Sequence, residues 1–128
     1  MEIIVTDGFA LNPGDISWDE VSELGNLKVY DRTEFGEVTD RCRNADIVII
    51  NKTPLDAETI QQLTQLKFIT MAATGYDCVD IKTAGQRKIP VSNIPVYGTD
   101  TVAQYVFSAI LHLAHNISGS SGLSVLFK

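Results

Sequence analysis

The run Asp46-Ile-Val-Ile-Ile50 is almost continuously apolar and β-branched, and it narrows the possible folds more than any other segment. A strand of that composition has no polar face to turn to water, so it suits the interior of a sheet covered on both sides. Similar short runs recur at Glu2–Thr6, Leu27–Tyr30, Lys67–Ala72 and Ile89–Ser92. Helical signals lie between them. Ser17-Trp-Asp-Glu20 has capping-box spacing, and Gly25 can end that helix. Phe35 to Arg43 supplies a polar helix with few core residues. Asp56 can cap a helix carrying Ile60, Leu63 and Leu66, and Asp80 a shorter one reaching Lys88. Thr101-Val-Ala-Gln104 repeats the capping-box spacing and opens a helix to about Ile117. Strands alternating with helices predict an α/β fold, a flavodoxin-like three-layer sandwich on a five-stranded parallel sheet of order 2-1-3-4-5. Pro90 puts the fifth strand at a sheet edge or a strand start.

At 128 residues the chain holds one domain with a core that needs no disulfide or metal staple. Its net charge of −6 argues against nucleic acid, since a phosphate-binding face needs clustered Lys and Arg. No apolar run reaches membrane-spanning length. Met1-Glu2-Ile3-Ile4 begins a strand at once, which reads as no signal peptide. Cys42 and Cys78 stand far apart with no CxxC, as reduced thiols of a cytoplasmic protein do.

The last helix has an apolar sleeve. Val102, Ala103, Val106, Phe107, Ile110, Leu111 and Leu113 cover most of its circumference, leaving a polar strip through Gln104, Ser108, His112 and His115. A surface helix needs one apolar stripe. This one expects a partner on a second side, and a homodimer through Val102–Ile117 would supply it. Ser118-Gly-Ser-Ser-Gly122 has the composition of a flexible linker. Leu123-Ser-Val-Leu-Phe-Lys128 after it is similar to a viral-protease cleavage tag. The division expected is a domain over 1–117 and a tag-like tail over 118–128, as in an engineered chain.

In an open parallel sheet, ligands bind beyond the carboxyl ends of the strands. Thr6-Asp-Gly-Phe9, Asn51-Lys-Thr53, Ala73-Thr-Gly-Tyr-Asp77 and Asn93-Ile-Pro-Val-Tyr-Gly98 stand there. Backbone N–H groups in a Gly-containing turn cradle a carboxylate, and Lys52 adds a positive charge. Every βα loop also needs such residues for turns and caps. Asn51 can simply tie two loops together, Lys52 can be a solvated charge, and Thr101 is first of all an N-cap. No GxGxxG follows a strand, so the dinucleotide fingerprint is absent, as is a Walker A sequence. No FMN-type phosphate loop follows strand one, and Asn51 stands where a receiver domain would carry its phospho-acceptor Asp. His112 and His115 share a helix face without a carboxylate or Cys to make a metal site.

Three segments in order, Ala73-Thr-Gly-Tyr-Asp-Cys-Val-Asp80, Ile89-Pro-Val-Ser-Asn-Ile-Pro95 and Tyr97-Gly-Thr-Asp-Thr-Val-Ala-Gln104, resemble the D-isomer-specific 2-hydroxyacid dehydrogenases, the glycerate (hydroxypyruvate) type most of all. Asn51-Lys-Thr-Pro-Leu55 and Thr6-Asp-Gly8 fit the same pattern, and the resemblance runs from Met1 to about Ile117. It implies the N-terminal part of a flavodoxin-like substrate-binding domain. Ala73, Thr74 and Gly75 would offer N–H groups to the substrate carboxylate. Asn51 and Lys52 would border the cleft, Tyr97 would lie near the substrate, and Thr101 near the nicotinamide. Val96 stands where relatives often carry Gly, which bears on the turn holding Tyr97.

The resemblance also implies an NAD(P)-dependent parent enzyme whose Gly-rich loop and catalytic Arg, Glu and His lie outside the matching segment. The expectation is therefore a substrate-binding domain without dehydrogenase activity of its own. It would hold no cofactor and bind at most a small 2-oxo or 2-hydroxy acid weakly. A structural or assembly module with no ligand is the alternative, and a natural stand-alone binding protein is a third reading.

Overall fold

The structure is a computed structural model, and it describes residues 1–116 and 119. The chain falls into two compact units, Met1–Pro95 and Val96–Lys128, each described by itself.

In the first unit five strands form one parallel sheet: β1 Glu2–Val5, β2 Asn26–Val29, β3 Ile47–Ile50, β4 Phe68–Met71 and β5 Val91–Ser92. Their order is β2-β1-β3-β4-β5, the order expected. The register pairs Ile4 with Val48, Val48 with Ile69 and Ile69 with Val91, so these residues share one face. Helices α3 (Val38–Cys42), α4 (Ala57–Gln62) and α5 (Ile81–Gln86) contribute to the core on that face. Val38 and Cys42, then Ile60, Leu63 and Ala84, join Ile4, Val48, Ile50, Ile69 and Met71 in one buried cluster.

The opposite face is covered less completely. Ile3 and Val5 are buried there, whereas Ile47, Ile49, Phe68 and Thr70 are only half-buried. The apolar run at 46–50 predicts burial on both sides; β3 instead alternates half-buried and buried residues.

Caps explain the short helices. Asp56 accepts the Thr59 amide at 2.8 Å and Asp80 the Thr83 amide at 2.8 Å, so both expected N-caps are present. The stretch from Phe35 is a 3-10 turn, Phe35–Glu37, leading into α3, with the reciprocal capping box at Glu34 and Glu37. Its few apolar residues suffice because Val38 and Cys42 both point into the core.

Two expected caps differ. The helix after Ser17 is a single turn, α2 (Asp19–Ser22), with Trp18 at its cap position; the Ser17 hydroxyl accepts the Asp19 amide at 3.1 Å, outside the helix start. Gly25 follows where the chain passes the amino end of β1. A Cβ there would sit 2.4 Å from the Met1 carbonyl oxygen, so only glycine allows the approach. A further turn, α1 (Gly8–Leu11), lies within a segment read only as a loop.

The second unit holds α6, Thr99–His115. Gly98, not Thr101, is its cap residue, and the Val102 amide donates to the Gly98 carbonyl at 2.9 Å. Thr101 is thus a first-turn residue. Three consecutive polar residues, Thr99 to Thr101, leave the start undecided by side-chain type. Asn116 ends the helix in the left-handed conformation at φ 45°. Except for Gly119, the tail expected over 118–128 lies outside the described residues, as does Ile117.

Candidate functional site

The carboxyl ends of β1, β3 and β4 build the site, and Asp7 organises it. This residue follows β1 and is 8% exposed. One carboxylate oxygen accepts the amides of Asn51, Lys52 and Thr53 at 2.8, 3.0 and 3.0 Å. The other accepts the Thr53 hydroxyl at 2.7 Å. The Thr6 hydroxyl donates at 3.3 Å. Burial pushes this carboxyl up, but the hydrogen bonds from Asn51, Thr53 and Lys52 outweigh it and hold it below the usual carboxylate range.

The β3 loop is in turn stitched to the β4 loop. Leu55 donates its amide to the Cys78 carbonyl at 2.8 Å, and Asp80 donates to the Leu55 carbonyl at 2.9 Å. The Cys78 thiol lies 3.9 Å from the Asn51 carbonyl. Burial and the neighbouring Asp77 push that thiol up, away from a reactive thiolate. The Ala73 carbonyl accepts the Ile94 amide at 3.1 Å, and the Thr74 carbonyl accepts the Asn93 side-chain amide at 2.8 Å. The carbonyls of this turn are thus tied toward the strand after it. The amides of Thr74, Gly75 and Tyr76 donate to no group of the described residues, and all three residues are exposed.

The two loops therefore differ in kind. At 51–53 the N–H groups are taken by an internal carboxylate; at 74–76, on exposed residues, they donate to no group of the described residues. Asn51 is a tie between loops through its backbone, one of the two roles its sequence leaves open. Lys52 is exposed and lines an open cavity of about 630 Å³ beside β1 and β2, with Asp7, Phe9, Arg32, Phe35 and Thr53 among its other walls. Tyr76 and Asn93 line a smaller cavity of about 370 Å³. Lys52 and the 73–76 loop share one sheet edge, and Lys52 and Tyr76 line the first and the second of these cavities respectively. Tyr97 and Thr101 belong to the second unit, where both are exposed.

Sequence reasoning placed Asp7 in a loop without a role, and the structure makes it the tie between that loop and residues 51–53. Its signal was an acid directly after a buried strand, since a carboxylate there must find several donors.

An open parallel sheet of order β2-β1-β3-β4-β5 defines an α/β protein, and in such sheets ligand sites lie beyond the carboxyl ends of the strands. Residues 3–120 match the D-isomer specific 2-hydroxyacid dehydrogenase catalytic domain, and the chain belongs to that family. It is 43% identical over 120 residues to the hydroxypyruvate reductase of Blautia hydrogenotrophica, covering 91% of this chain and 37% of that protein. To the glycerate dehydrogenase of Methylorubrum extorquens it is 41% identical over 81 residues, 63% of this chain and 26% of the other. Among solved structures, an acyclic imino acid reductase in complex with NADPH and D-Arg superposes with a TM-score of 0.77 at 25% identity, over 97% of this chain and 40% of its own. The chain thus spans well under half of these relatives.

The carboxyl ends of β1 and β3 do not fit a dinucleotide pyrophosphate. Gly8, in the turn after β1, is filled by the chain itself: a Cβ there would meet Val29 Cγ1 at 2.4 Å. The amides at 51–53 already donate to Asp7. No pyrophosphate cradle remains at this end of β1.

Proposed function

We propose that this chain forms the substrate side of a glycerate-type D-2-hydroxyacid dehydrogenase and holds a small 2-oxo or 2-hydroxy acid at the loop after β4. The observation carrying this reading is the set of exposed residues Thr74, Gly75 and Tyr76, whose amides have no acceptor among the described residues, in a chain whose relatives include a hydroxypyruvate reductase and a glycerate dehydrogenase. Backbone N–H donors left over in a Gly-containing turn suit a carboxylate. Lys52, in the neighbouring loop, supplies positive charge at the same edge. Tyr97 and Thr101 are assigned to the substrate and nicotinamide sides by family resemblance.

Hydride transfer needs a cofactor placed against the substrate carbon and a general acid–base within reach. The 128-residue chain mixed with NADH and hydroxypyruvate is expected to show no NADH oxidation above buffer. Hydroxypyruvate alone is expected to shift the NMR signals of the 73–76 loop. Turnover, or no shift at millimolar ligand, would overturn the assignment.

A second reading, an assembly module, is favoured by α6. Val102, Tyr105, Phe107 and Leu113 on that helix are all exposed. Ala103, Phe107, Ile110 and Ala114 recur at 4-3-4 spacing, the seam of a helix pair. This surface suits a second copy of the chain.

A further inference from the structure

Three consecutive amides converging on one oxygen make an anion nest. At Asn51, Lys52 and Thr53 the anion is the chain's own Asp7, held at 2.8, 3.0 and 3.0 Å. The fourth donor, the Thr53 hydroxyl, occupies the other oxygen at 2.7 Å. A loop bound this way has its peptide planes set from beneath, so the Lys52 side chain leaves from a fixed backbone on the solvent side. Asp7 follows the buried strand residues Ile3, Ile4 and Val5, and its carboxylate is itself buried.

We propose that Asp7 is a positioning residue: it fills the 51–53 nest as a built-in anion and thereby aims Lys52 at the ligand edge of the sheet. The assignment of Lys52 to a ligand rests on the function proposed above; the nest does not. Two consequences follow from the chemistry. First, the nest keeps its demand for a carboxylate when Asp7 is removed, so a small external carboxylate substitutes for it. Second, the loop loosens when the carboxylate is protonated. The charged groups around Asp7 are Lys52, Asp31, Arg32 and Glu34 along the shared cavity, with the Cys78 thiol sensing its charge from the β4 loop.

The test compares the whole chain with Asp7→Ala and Asp7→Asn by amide hydrogen exchange and NMR. In Asp7→Ala the amides of 51–53 are expected to exchange at least tenfold faster, while those of α4 and α5 keep their protection. Formate at about 100 mM, a concentration suited to weak small-anion binding, is expected to restore protection at the three amides; chloride at equal ionic strength is not. Asp7→Asn, with one acceptor oxygen and no charge, is expected to fall between the two. Unchanged protection in Asp7→Ala, or no response to formate, overturns the nest.

Should Asp7→Ala not fold, Asp7→Asn and the wild-type titration decide. The three wild-type amide protons are expected to shift together as the Asp7 carboxyl titrates, and amides that stay in place overturn the proposal. Hydroxypyruvate as probe separates the two claims. Loss of its effect on Lys52 in Asp7→Ala, recovered with formate, supports positioning; an undiminished effect overturns it. No effect on Lys52 in wild-type protein retires the ligand role of Lys52 and leaves the nest standing.

Discussion

A carboxylate that accepts three amides and a hydroxyl in a nearly buried setting couples its ionisation to folding. The Asp7 carboxyl sits below its usual range because these hydrogen bonds overcome the burial that pushes it up. Its contribution to stability is therefore complete above the unfolded-state value near about pH 4 and is lost as pH falls through the folded value. Asp46 and Asp56, both lowered as well, act with the same sign. Urea unfolding at neutral pH should find Asp7→Asn about 2 kcal/mol less stable than wild type, the scale of charge-assisted hydrogen bonds in a buried site. The gap should narrow at pH 3 and below, whereas a gap independent of pH would show that the carboxylate charge is irrelevant. Part of this was legible beforehand: an acid after a buried strand must find donors. The donors themselves belong to a loop 44 to 46 residues away, a pairing that no local pattern encodes.

At the scale of elements, the sheet has one closed face and one partly covered face. Ile50 is fully buried against the α3–α5 layer, whereas its neighbour Ile49, pointing to the other side, is only half-buried. The same substitution in the same strand should then differ in cost. Ile50→Ala is expected to lose about 4 kcal/mol, and Ile49→Ala about half as much, since less area leaves water and less cavity is made. Equal losses by urea unfolding would contradict this asymmetry. The strands, their order and the caps at Asp56 and Asp80 could be read from sequence because alternation and local capping are short-range properties. The starts of α2 and α6 could not. Several residues able to cap lie at the start of each, Ser17 and Asp19 at α2 and Thr99 to Thr101 at α6, and where the helix begins depends on how the chain arrives from the preceding turn.

For the whole molecule, the exposed apolar residues of α6 lead to one expectation about assembly. Size-exclusion chromatography with light scattering should show a dimer of the 128-residue chain, and Phe107→Glu should shift it to monomer. A wild-type monomer at about 100 μM, well above the Kd of a stable interface, would discard the paired helix. Among the described residues no helix is long and apolar enough to cross a membrane.

The sequence alone determined the α/β class, the strand order and the loops at the carboxyl edge, because hydrophobic periodicity and turn chemistry act over a few residues and leave few topologies open. Only the tertiary structure decided that the 51–53 amides are spent on Asp7 while those at 74–76 find no acceptor among the described residues. That difference depends on which distant side chain reaches each loop once the sheet has closed, and hydrogen bonds between segments far apart in the chain leave no periodic trace in it.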